Sequence, residues 1–334
     1  MANDKNLSIV FAKRPTGEII PGETFRVETK AAPTEADLKD GEVLFESHYL
    51  SLDPSMRVWL RDTPSYLPPV QIGEVMRGIS SGRILASKNP SLKVGDWATG
   101  FSGWQQVAVL GPQHVFQAPM MPGIEGPDLV GALGMTGLTA YLGLENIGQL
   151  KEGELVVVSG AAGATGSIVG QIAKLKGCRV VGIAGSDEKC AWLKQLGFDD
   201  ALNYKASDFR QQFLGATKTE NGDNADVVAV GGEILDLALG QMKLRGRILK
   251  CGSIGEYNGD KNPGEIMTGF IVLDWAAQFP AAMKQMAIWV VQGQVKSKNT
   301  VVKGGLEKAD QALADLFKGL NTGETSSFID ESRN

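Results

Sequence analysis

Three glycines spaced three residues apart form the pattern in this chain that could do chemistry. Gly160, Gly163 and Gly166 directly follow the apolar run 155–158, and a helical pattern begins at Ser167. Glycines in such a turn let backbone N–H groups approach a pyrophosphate, and the N-terminus of the next helix adds partial positive charge. A glycine-rich structural turn is the plain alternative. The strand before the turn and the helix after it favour dinucleotide binding.

The elements that must position this turn follow it in the expected order. Ile168, Ile172 and Leu175 are spaced to give a helix one apolar face, and Gly177 is placed to end that helix. A second short apolar strand follows at 179–184. Strand, helix and strand within about thirty residues have the size of one dinucleotide-binding unit.

The end of this second strand indicates which dinucleotide is bound. NAD sites place Asp or Glu about twenty residues past the turn, where the carboxylate bonds the ribose 2′-hydroxyl. This chain has Gly185 and Ser186 there, which leave room for a 2′-phosphate, and Lys189 can pair with that phosphate. Asp187 and Glu188 lie close by, and we interpret them as favourable charge in a first helical turn. The sequence therefore favours NADP over NAD.

Composition and charge restrict the other classes of function. The chain has 334 residues, of which 43% are hydrophobic and 21% charged, a balance typical of a globular protein with room for two domains. Its net charge of −5 and its lack of a basic block give no support for nucleic-acid or membrane binding. Because no apolar run has the length of a membrane span and no signal-peptide pattern opens the chain, we expect a cytoplasmic protein.

Cysteine and histidine are too sparse for a metal site or a disulfide framework. The cysteines are Cys178, Cys190 and Cys251, and the only histidines are His48 and His114. A catalytic zinc needs about three ligands and a structural zinc about four, which these scattered residues do not supply. We therefore predict no metal and interpret both histidines as structural.

The chain divides into a β-rich part and an α/β part. Residues 1–125 are rich in glycine and proline, with strand-like runs at 43–45, 82–86 and 106–110. From residue 128 to 274, strands alternate with helices, which predicts a parallel sheet covered on both faces. The predicted strands are at 155–159, 179–184, 199–202, 226–230, 247–251 and 269–273. A further helix is predicted at 279–293, with a methionine-containing face that belongs to the core.

Several motifs in this order resemble those of the zinc-independent medium-chain dehydrogenases/reductases, in particular the prostaglandin reductase and alkenal double-bond reductase branch. The resemblance covers about residues 5–323. It is carried by the whole stretch 158–189, by Leu-Asp-Pro-Ser-Met-Arg at 52–57, Ile-Gly-Glu-Val-Met at 72–76, Gly-Met-Thr-Gly-Leu-Thr-Ala-Tyr at 134–141, Gly-Phe-Asp-Asp-Ala-Leu-Asn-Tyr-Lys at 197–205 and Cys-Gly-Ser-Ile-Gly-Glu-Tyr-Asn at 251–258.

The resemblance implies an α/β fold in which a Rossmann domain is inserted in a GroES-like, β-rich catalytic domain. We expect the doubly wound parallel sheet of the NADP-binding Rossmann domain at 128–274 and the catalytic domain at 1–127 plus 275–334. Members of this branch use NADPH to reduce the carbon–carbon double bond of α,β-unsaturated aldehydes and ketones. They often pair through the last Rossmann strand, here 269–274, so we expect a homodimer with a small apolar enal or enone as substrate.

The resemblance also assigns site residues. Tyr257 matches a tyrosine placed near the substrate carbonyl, whereas a turn tyrosine is the plain alternative. Arg57 is interpreted as a structural ion-pair partner. The expected cofactor contacts are Gly163, Ala164, Thr165 and Gly166 at the pyrophosphate, Gly185, Ser186, Lys189 and Tyr204 around the 2′-phosphate, Cys251, Gly252, Ser253, Ile254 and Tyr257 beside the nicotinamide, backbone groups of Phe270, Ile271 and Val272 nearby, and Asn321.

The expected chemistry needs few special side chains. Hydride from NADPH adds to the β-carbon, negative charge builds on the carbonyl oxygen, and a protonated phenol can donate a hydrogen bond there. The proton on the α-carbon then comes from Tyr257 or from water. The segments 226–232 and 263–269 are shorter than the family pattern. They leave open an NADPH-binding protein of the same fold with little or no catalysis, and a quinone reductase is a further alternative.

Overall fold

A computed structural model describes residues 5–63, 65–218, 225–229, 233–252, 254, 257–258 and 270–329. The chain forms two compact units. The first comprises Met1–Gly134, Asn299–Leu320 and Thr325–Asn334, and the second comprises Met135–Lys298 and Asn321–Glu324. Within the described ranges, none of the helices has both the length and the apolarity needed to cross a membrane.

Strands predominate up to residue 117, and α-helices alternate with strands after it. The strands are β1 Lys5–Phe11, β2 Phe25–Ala31, β3 Val43–Leu52, β4 Ser80–Ser87, β5 Trp97–Gly100, β6 Val107–Leu110, β7 Val115–Gln117, β8 Leu155–Val158, β9 Arg179–Ala184, β10 Asp200–Asn203, β11 Ala225–Ala229, β12 Met242–Ile248, β13 Asn299–Val302 and β14 Glu324–Phe328. The α-helices are α1 Met56–Trp59, α2 Met135–Gly143, α3 Ala164–Leu175, α4 Asp187–Gln195, α5 Phe209–Ala216, α6 Glu233–Leu239, α7 Phe279–Val291 and α8 Ala309–Phe317.

The first unit is built on antiparallel strands. Its larger sheet has the order β13-β14-β3-β4-β5-β7, with β6 also paired to β3, while β1 and β2 form a separate two-stranded sheet. The core between these elements includes the fully buried Trp104, Phe11 and Leu50. The strand-like runs at 43–45, 82–86 and 106–110 are confirmed in β3, β4 and β6.

The second unit contains a five-stranded parallel sheet in the order β10-β9-β8-β11-β12. All four residues of β8 are buried, as its apolar run predicts for a central strand. Helix α3 begins at Ala164, three residues earlier than the apolar pattern indicates, because Gly163 caps it in an extended conformation. Gly177 follows the helix with φ +77°, which confirms its predicted role at the helix end.

Two predicted strands of this unit are corrected by the structure. The strand expected at 247–251 runs instead over Met242–Ile248. The strand expected at 269–273 is absent over 270–273, where a 3-10 helix covers Val272–Gln278. Val272 is buried in an apolar cluster with Leu138, Leu142 and Ala282, so this segment packs on helices rather than on a sheet edge. Among the described residues the sheet therefore ends at β12. The shortened segment 263–269 lies outside those residues.

The bounds of the two units differ from the expected domains at residues 128–134, which group with the first unit, and in the last third of the chain. Residues 275–298 group with the parallel sheet, because α7 packs on α2, where the rings of Tyr141 and Trp289 are 5.6 Å apart. Residues 321–324 also return to this unit, since Gly323 forms an isolated parallel bridge with Gly163.

Candidate nucleotide-binding site

The glycine turn after β8 is closed by its own backbone. Gly160 has φ +57°, and its carbonyl oxygen accepts the N–H of Gly163 at 2.8 Å. A Cβ placed on Gly166 would lie 2.5 Å from the same carbonyl oxygen, far inside van der Waals contact. The turn therefore requires glycine at 166 for the backbone to approach itself this closely.

The N-terminus of α3 presents backbone donors beside this turn. Its capping residue, Gly163, has no side chain with which to bond the first N–H groups. The N–H groups of Ala164, Thr165 and Gly166 belong to the first turn, where an α-helix leaves its donors without intrahelical acceptors. Glycine-lined backbone and unsatisfied helix donors fit a pyrophosphate, which needs N–H groups at close approach.

The C-terminal return brings Asn321 to the same turn. Gly323 donates its N–H to the carbonyl of Ala162 at 2.9 Å, and Asn321 Nδ2 donates to the carbonyl of Gly323 at 3.0 Å. The next residue, Glu324, is buried and accepts a hydrogen bond from Thr136 Oγ1 at 2.9 Å. Asn321 is thus linked to the turn through Gly323, which itself contacts Ala162 and Gly163. Sequence reasoning did not find the contact between Glu324 and Thr136.

The second group of predicted residues lies at the carboxyl ends of β9 and β10. Ser186 caps α4, its Oγ accepting the N–H of Lys189 at 3.3 Å. Tyr204 is tied to β9 through its N–H, which donates to the carbonyl of Ala184 at 3.0 Å. A Cβ on Gly185 would be 3.1 Å from Tyr204 Oη, so glycine there makes room for the phenol. Gly185, Ser186, Lys189 and Tyr204 are therefore neighbours, as the sequence predicts.

Two ammonium groups influence each other in this place. Burial lowers the pKa of Lys189, the positive charge of Lys205 lowers it further, and Glu188 acts in the opposite direction. Lys205 Nζ lies 5.8 Å from the ring centroid of Tyr204. Sequence reasoning missed Lys205, although it directly follows Tyr204. The ammonium groups of Lys189 and Lys205 lie near two hydroxyl groups, those of Tyr204 and Ser186. Together they form a donor set suited to a phosphate dianion.

The third group is the loop after β12. A Cβ on Gly252 would lie 2.6 Å from Tyr257 Oη, so the phenol folds over the backbone of its own loop. Tyr257 donates its N–H to the carbonyl of Ile254 at 3.4 Å. Cys251 lies at the surface, but enough protein surrounds its thiol that desolvation raises its pKa to about 12. This thiol is protonated at neutral pH. Ser253 lies outside the described residues.

The residues 270–272 pack beside α2. A Cβ on Gly143 would contact the ring of Phe270 at 2.7 Å, and the rings of Phe270 and Trp275 are 5.1 Å apart. The carbonyl of Ile271 accepts the N–H of Asp274 at 3.0 Å as the 3-10 helix begins. The carbonyl oxygen of Ile271 therefore already accepts a hydrogen bond from within the chain.

In the first unit, Arg57 differs from its expected role. Its side chain is buried, and Nη2 and Nε donate to the carbonyl of Gly17 at 2.7 and 3.1 Å, with a longer bond from Nη2 to Pro15. In the described ranges its hydrogen-bond acceptors are carbonyl oxygens rather than a carboxylate, and its Nη1 is buried without a hydrogen-bond partner. Arg57 is therefore a structural residue that fixes a loop, but the predicted ion pair is wrong.

The described residues contain no cluster of three or more His, Cys, Asp or Glu side chains able to hold a metal ion.

Comparison with known proteins matches both halves of the chain. Residues 8–118 match a family described as the N-terminal domain of oxidoreductase, and residues 164–286 match one described as zinc-binding dehydrogenase. The chain is 38% identical to the NADPH-dependent curcumin reductase of Escherichia coli, over 96% of each chain. It is 40% identical to prostaglandin reductase 1 of Bos taurus, over 90% of this chain and 92% of that one. Among solved structures, CurA of Vibrio vulnificus in complex with NADPH superposes with a TM-score of 0.87 at 36% identity, over 97% of this chain and 99% of that one.

Proposed function

The chain belongs to the zinc-independent branch of the medium-chain dehydrogenase/reductase family, and from that premise we propose that it reduces the carbon–carbon double bond of α,β-unsaturated aldehydes and ketones with NADPH. The observation that carries this proposal is the pairing of the glycine turn before α3 with two lysines, Lys189 in the first turn of α4 and Lys205 just after β10. The turn suits a pyrophosphate, and the lysines suit a 2′-phosphate.

Each part of the site has a role in holding the dinucleotide. The N–H groups of Ala164, Thr165 and Gly166 bind the pyrophosphate, and Asn321 supports this turn from the C-terminal return. Lys189 binds the 2′-phosphate as a point charge, with Ser186 and Tyr204 as hydroxyl donors. Gly185 leaves the space that these groups need. The loop 251–257 and the segment 270–272 line the nicotinamide.

The catalytic contribution of the protein is polarisation and orientation. When bound, NADPH supplies a hydride to the β-carbon of the enone. The phenol of Tyr257 donates a hydrogen bond to the carbonyl oxygen, where negative charge builds as the double bond is reduced. Tyr257 Oη lies close to the backbone of Gly252, on the loop that we propose lines the nicotinamide. A proton then adds to the α-carbon, so that the saturated carbonyl compound and NADP⁺ are released.

The test is turnover with product identification. Purified protein is mixed with NADPH and a panel of apolar enals and enones, the loss of NADPH absorbance is followed, and the product is identified by mass spectrometry. We expect two hydrogens to be gained across the C=C bond with the carbonyl retained, and no reaction with the matching saturated aldehydes. Tyr257→Phe is expected to lower the rate about a hundredfold while NADP⁺ still binds.

Three results would overturn parts of the proposal. A Tyr257→Phe variant with the full rate removes the phenol from the mechanism. Binding of NADP⁺ without turnover on the whole panel indicates a binding protein with little catalysis, and NADPH consumption with quinones alone indicates a quinone reductase.

We also propose a cytoplasmic homodimer that acts on a small apolar substrate. The resemblance behind the dimer pointed to residues 269–274, which do not form a strand over 270–274. Among the described residues, β12 and β10 are the two edge strands of the parallel sheet, and in β12 Leu244 is 90% exposed. Sedimentation at the mass of two 35.6 kDa chains tests the assembly, and Leu244→Asp, which should return the sedimenting species to a single chain, tests this edge.

A further inference from the structure

The side chain of Asn203 bonds two residues, Asp187 and Lys205, at the end of β10, an arrangement that we call the bracket. Asn203 is opposite Ala184 in the parallel pairing of β10 with β9, so it lies beside the point where the chain enters α4. Its Nδ2 donates to Asp187 Oδ1 at 2.8 Å, and its Oδ1 accepts the N–H of Lys205 at 3.0 Å. One amide thereby fixes an acidic side chain on one side and the backbone of a basic residue on the other.

The acidic side chain held in this way is the one that matters for coenzyme choice. Asp187 is the first residue of α4, and only Gly185 and Ser186 separate it from the end of β9 at Ala184. A carboxylate at the end of the second strand bonds a ribose 2′-hydroxyl in NAD sites and repels a 2′-phosphate. Asp187 is exposed, so solvent does not hold its side chain in one direction, whereas the Asn203 amide does.

The basic side belongs to the same place. Lys205 follows Tyr204, lies with its ammonium 5.8 Å from that ring, and acts electrostatically on Lys189. Two ammonium groups that disfavour each other are stabilised together when an anion binds between them. The bracket therefore holds the Asp187 carboxylate against Asn203 and fixes the backbone of Lys205, the residue that supplies positive charge.

We propose that Asn203 is a specificity-determining residue, which secures the preference for the 2′-phosphorylated coenzyme by holding Asp187 aside and fixing the turn that carries Lys205. This inference rests on the proposed placement of the 2′-phosphate at Lys189 and Tyr204. Asn203 acts through its neighbours and need not touch the coenzyme. Its removal should change discrimination between coenzymes rather than the pyrophosphate contacts common to both.

The test is equilibrium binding without substrate. Calorimetry gives the dissociation constants of NADP⁺, NAD⁺ and 2′,5′-ADP for the full-length protein and its variants. We expect Asn203→Ala to weaken the binding of NADP⁺ and 2′,5′-ADP about tenfold, the size of one charge-assisted interaction. The affinity for NAD⁺ should be unchanged or higher. Adding Asp187→Asn to Asn203→Ala should restore much of the lost affinity, because the released group no longer carries charge.

A matched control is available on α5. Gln212 Nε2 donates to Asp208 Oδ1 at 2.8 Å, an amide–carboxylate bond of the same length on an exposed helix surface. Gln212→Ala should leave all three affinities unchanged. Asp187→Asn alone keeps an acceptor for Asn203 and should bind NADP⁺ at least as tightly as the parent, which provides a variant that retains the bracket.

Lys189→Gln separates this inference from the function on which it rests. Lys189→Gln is expected to weaken NADP⁺ binding selectively. If it does so, but Asn203→Ala weakens the binding of NADP⁺ and NAD⁺ equally or changes neither, the role of Asn203 is overturned and the phosphate site stands. If Lys189→Gln has no selective effect, the placement of the 2′-phosphate fails and the inference fails with it. A double variant that regains nothing would overturn the role assigned to Asp187.

Discussion

Lys189 is a residue of the proposed phosphate site whose protonation is changed by its surroundings. Burial and the neighbouring Lys205 lower its pKa in the protein without an anion. A bound 2′-phosphate favours the protonated ammonium and moves the pKa of Lys189 back upward. Affinity for the phosphorylated coenzyme is therefore complete below the lowered pKa of Lys189, and it declines as the pH rises through that value.

We accordingly expect NADP⁺ binding at alkaline pH to take up protons. Calorimetry in two buffers with different ionisation enthalpies measures this uptake directly, since the apparent binding enthalpy differs in proportion to the protons transferred. NAD⁺, which lacks the phosphate, and the Lys189→Gln variant should both show a smaller uptake. Equal uptake for NADP⁺ and NAD⁺ would contradict the assignment of this lysine.

At the residue scale, the sequence predicts those site residues that lie close together along one short segment. Residues 163–166 and 185–189 follow directly from strand and helix ends, and the structure places them there. Asn203 and Lys205 could not be found in this way, because their meaning depends on the pairing of β10 with β9. The carbonyl partners of Arg57 were likewise hidden, since Gly17 is forty residues away along the chain.

Helix α3 carries the N–H groups that we propose bind the pyrophosphate, and its packing depends on one small residue. A Cβ on Gly170 would lie 1.9 Å from the ring of Phe198, which is buried. The helix can therefore approach its neighbours only with glycine at this position. Of the apolar face read from the sequence, Ile168 and Ile172 are buried but Leu175 is 40% exposed. The pattern gave no sign of the contact with Phe198.

We expect Gly170→Ala to lower the free energy of unfolding by about 1–3 kcal/mol, the usual cost of overpacking a core. Gly215→Ala is the matched control, because Gly215 lies in α5 with no atom within 4 Å of an added Cβ. That change should stabilise the protein by about 0.5–1 kcal/mol through helix propensity. Urea unfolding measures both, and equal effects of the two substitutions would contradict the packing argument.

The strand expected at 247–251 was shifted along the chain, whereas the strand expected at 269–273 was assigned the wrong type of element. A short apolar run has no periodicity that separates a strand from a buried helical turn, and here Val272 packs onto α2 and α7. The strands at 155–158 and 179–184 were unambiguous because a glycine turn and a helix followed the first, and a capped helix followed the second. Flanking signals, not hydrophobicity, made those elements predictable.

At the scale of the whole chain, the return of residues 321–324 supports the nucleotide turn from a distance in sequence. Gly323 has φ +73°, and a Cβ there would lie 2.0 Å from the carbonyl oxygen of Lys298. Its partner in the isolated bridge is Gly163, the cap of α3. The shape of the turn therefore depends on a segment outside the run of strands and helices that forms the sheet.

We expect Gly323→Ala to lower the stability of the protein. It should also weaken the binding of NADP⁺ and NAD⁺ by the same factor, because the pyrophosphate is common to both. Gly197→Ala is the control: Gly197 also has positive φ, at +92°, but no atom lies within 4 Å of an added Cβ. It should cost only the left-handed strain, about 1–2 kcal/mol, without loss of coenzyme affinity. Thermal unfolding and calorimetry measure the two effects. Unchanged coenzyme binding by Gly323→Ala would contradict the coupling.

The bridge between Gly163 and Gly323 has a consequence for biosynthesis. Translation proceeds from the N-terminus, so the ribosome releases every strand of the parallel sheet well before residues 321–324. A nascent polypeptide at that stage has the carbonyl of Ala162 without its later partner. We expect coenzyme capture to wait until residues 321–324 have left the ribosome, so that shorter nascent chains do not compete with released molecules for the cellular pool.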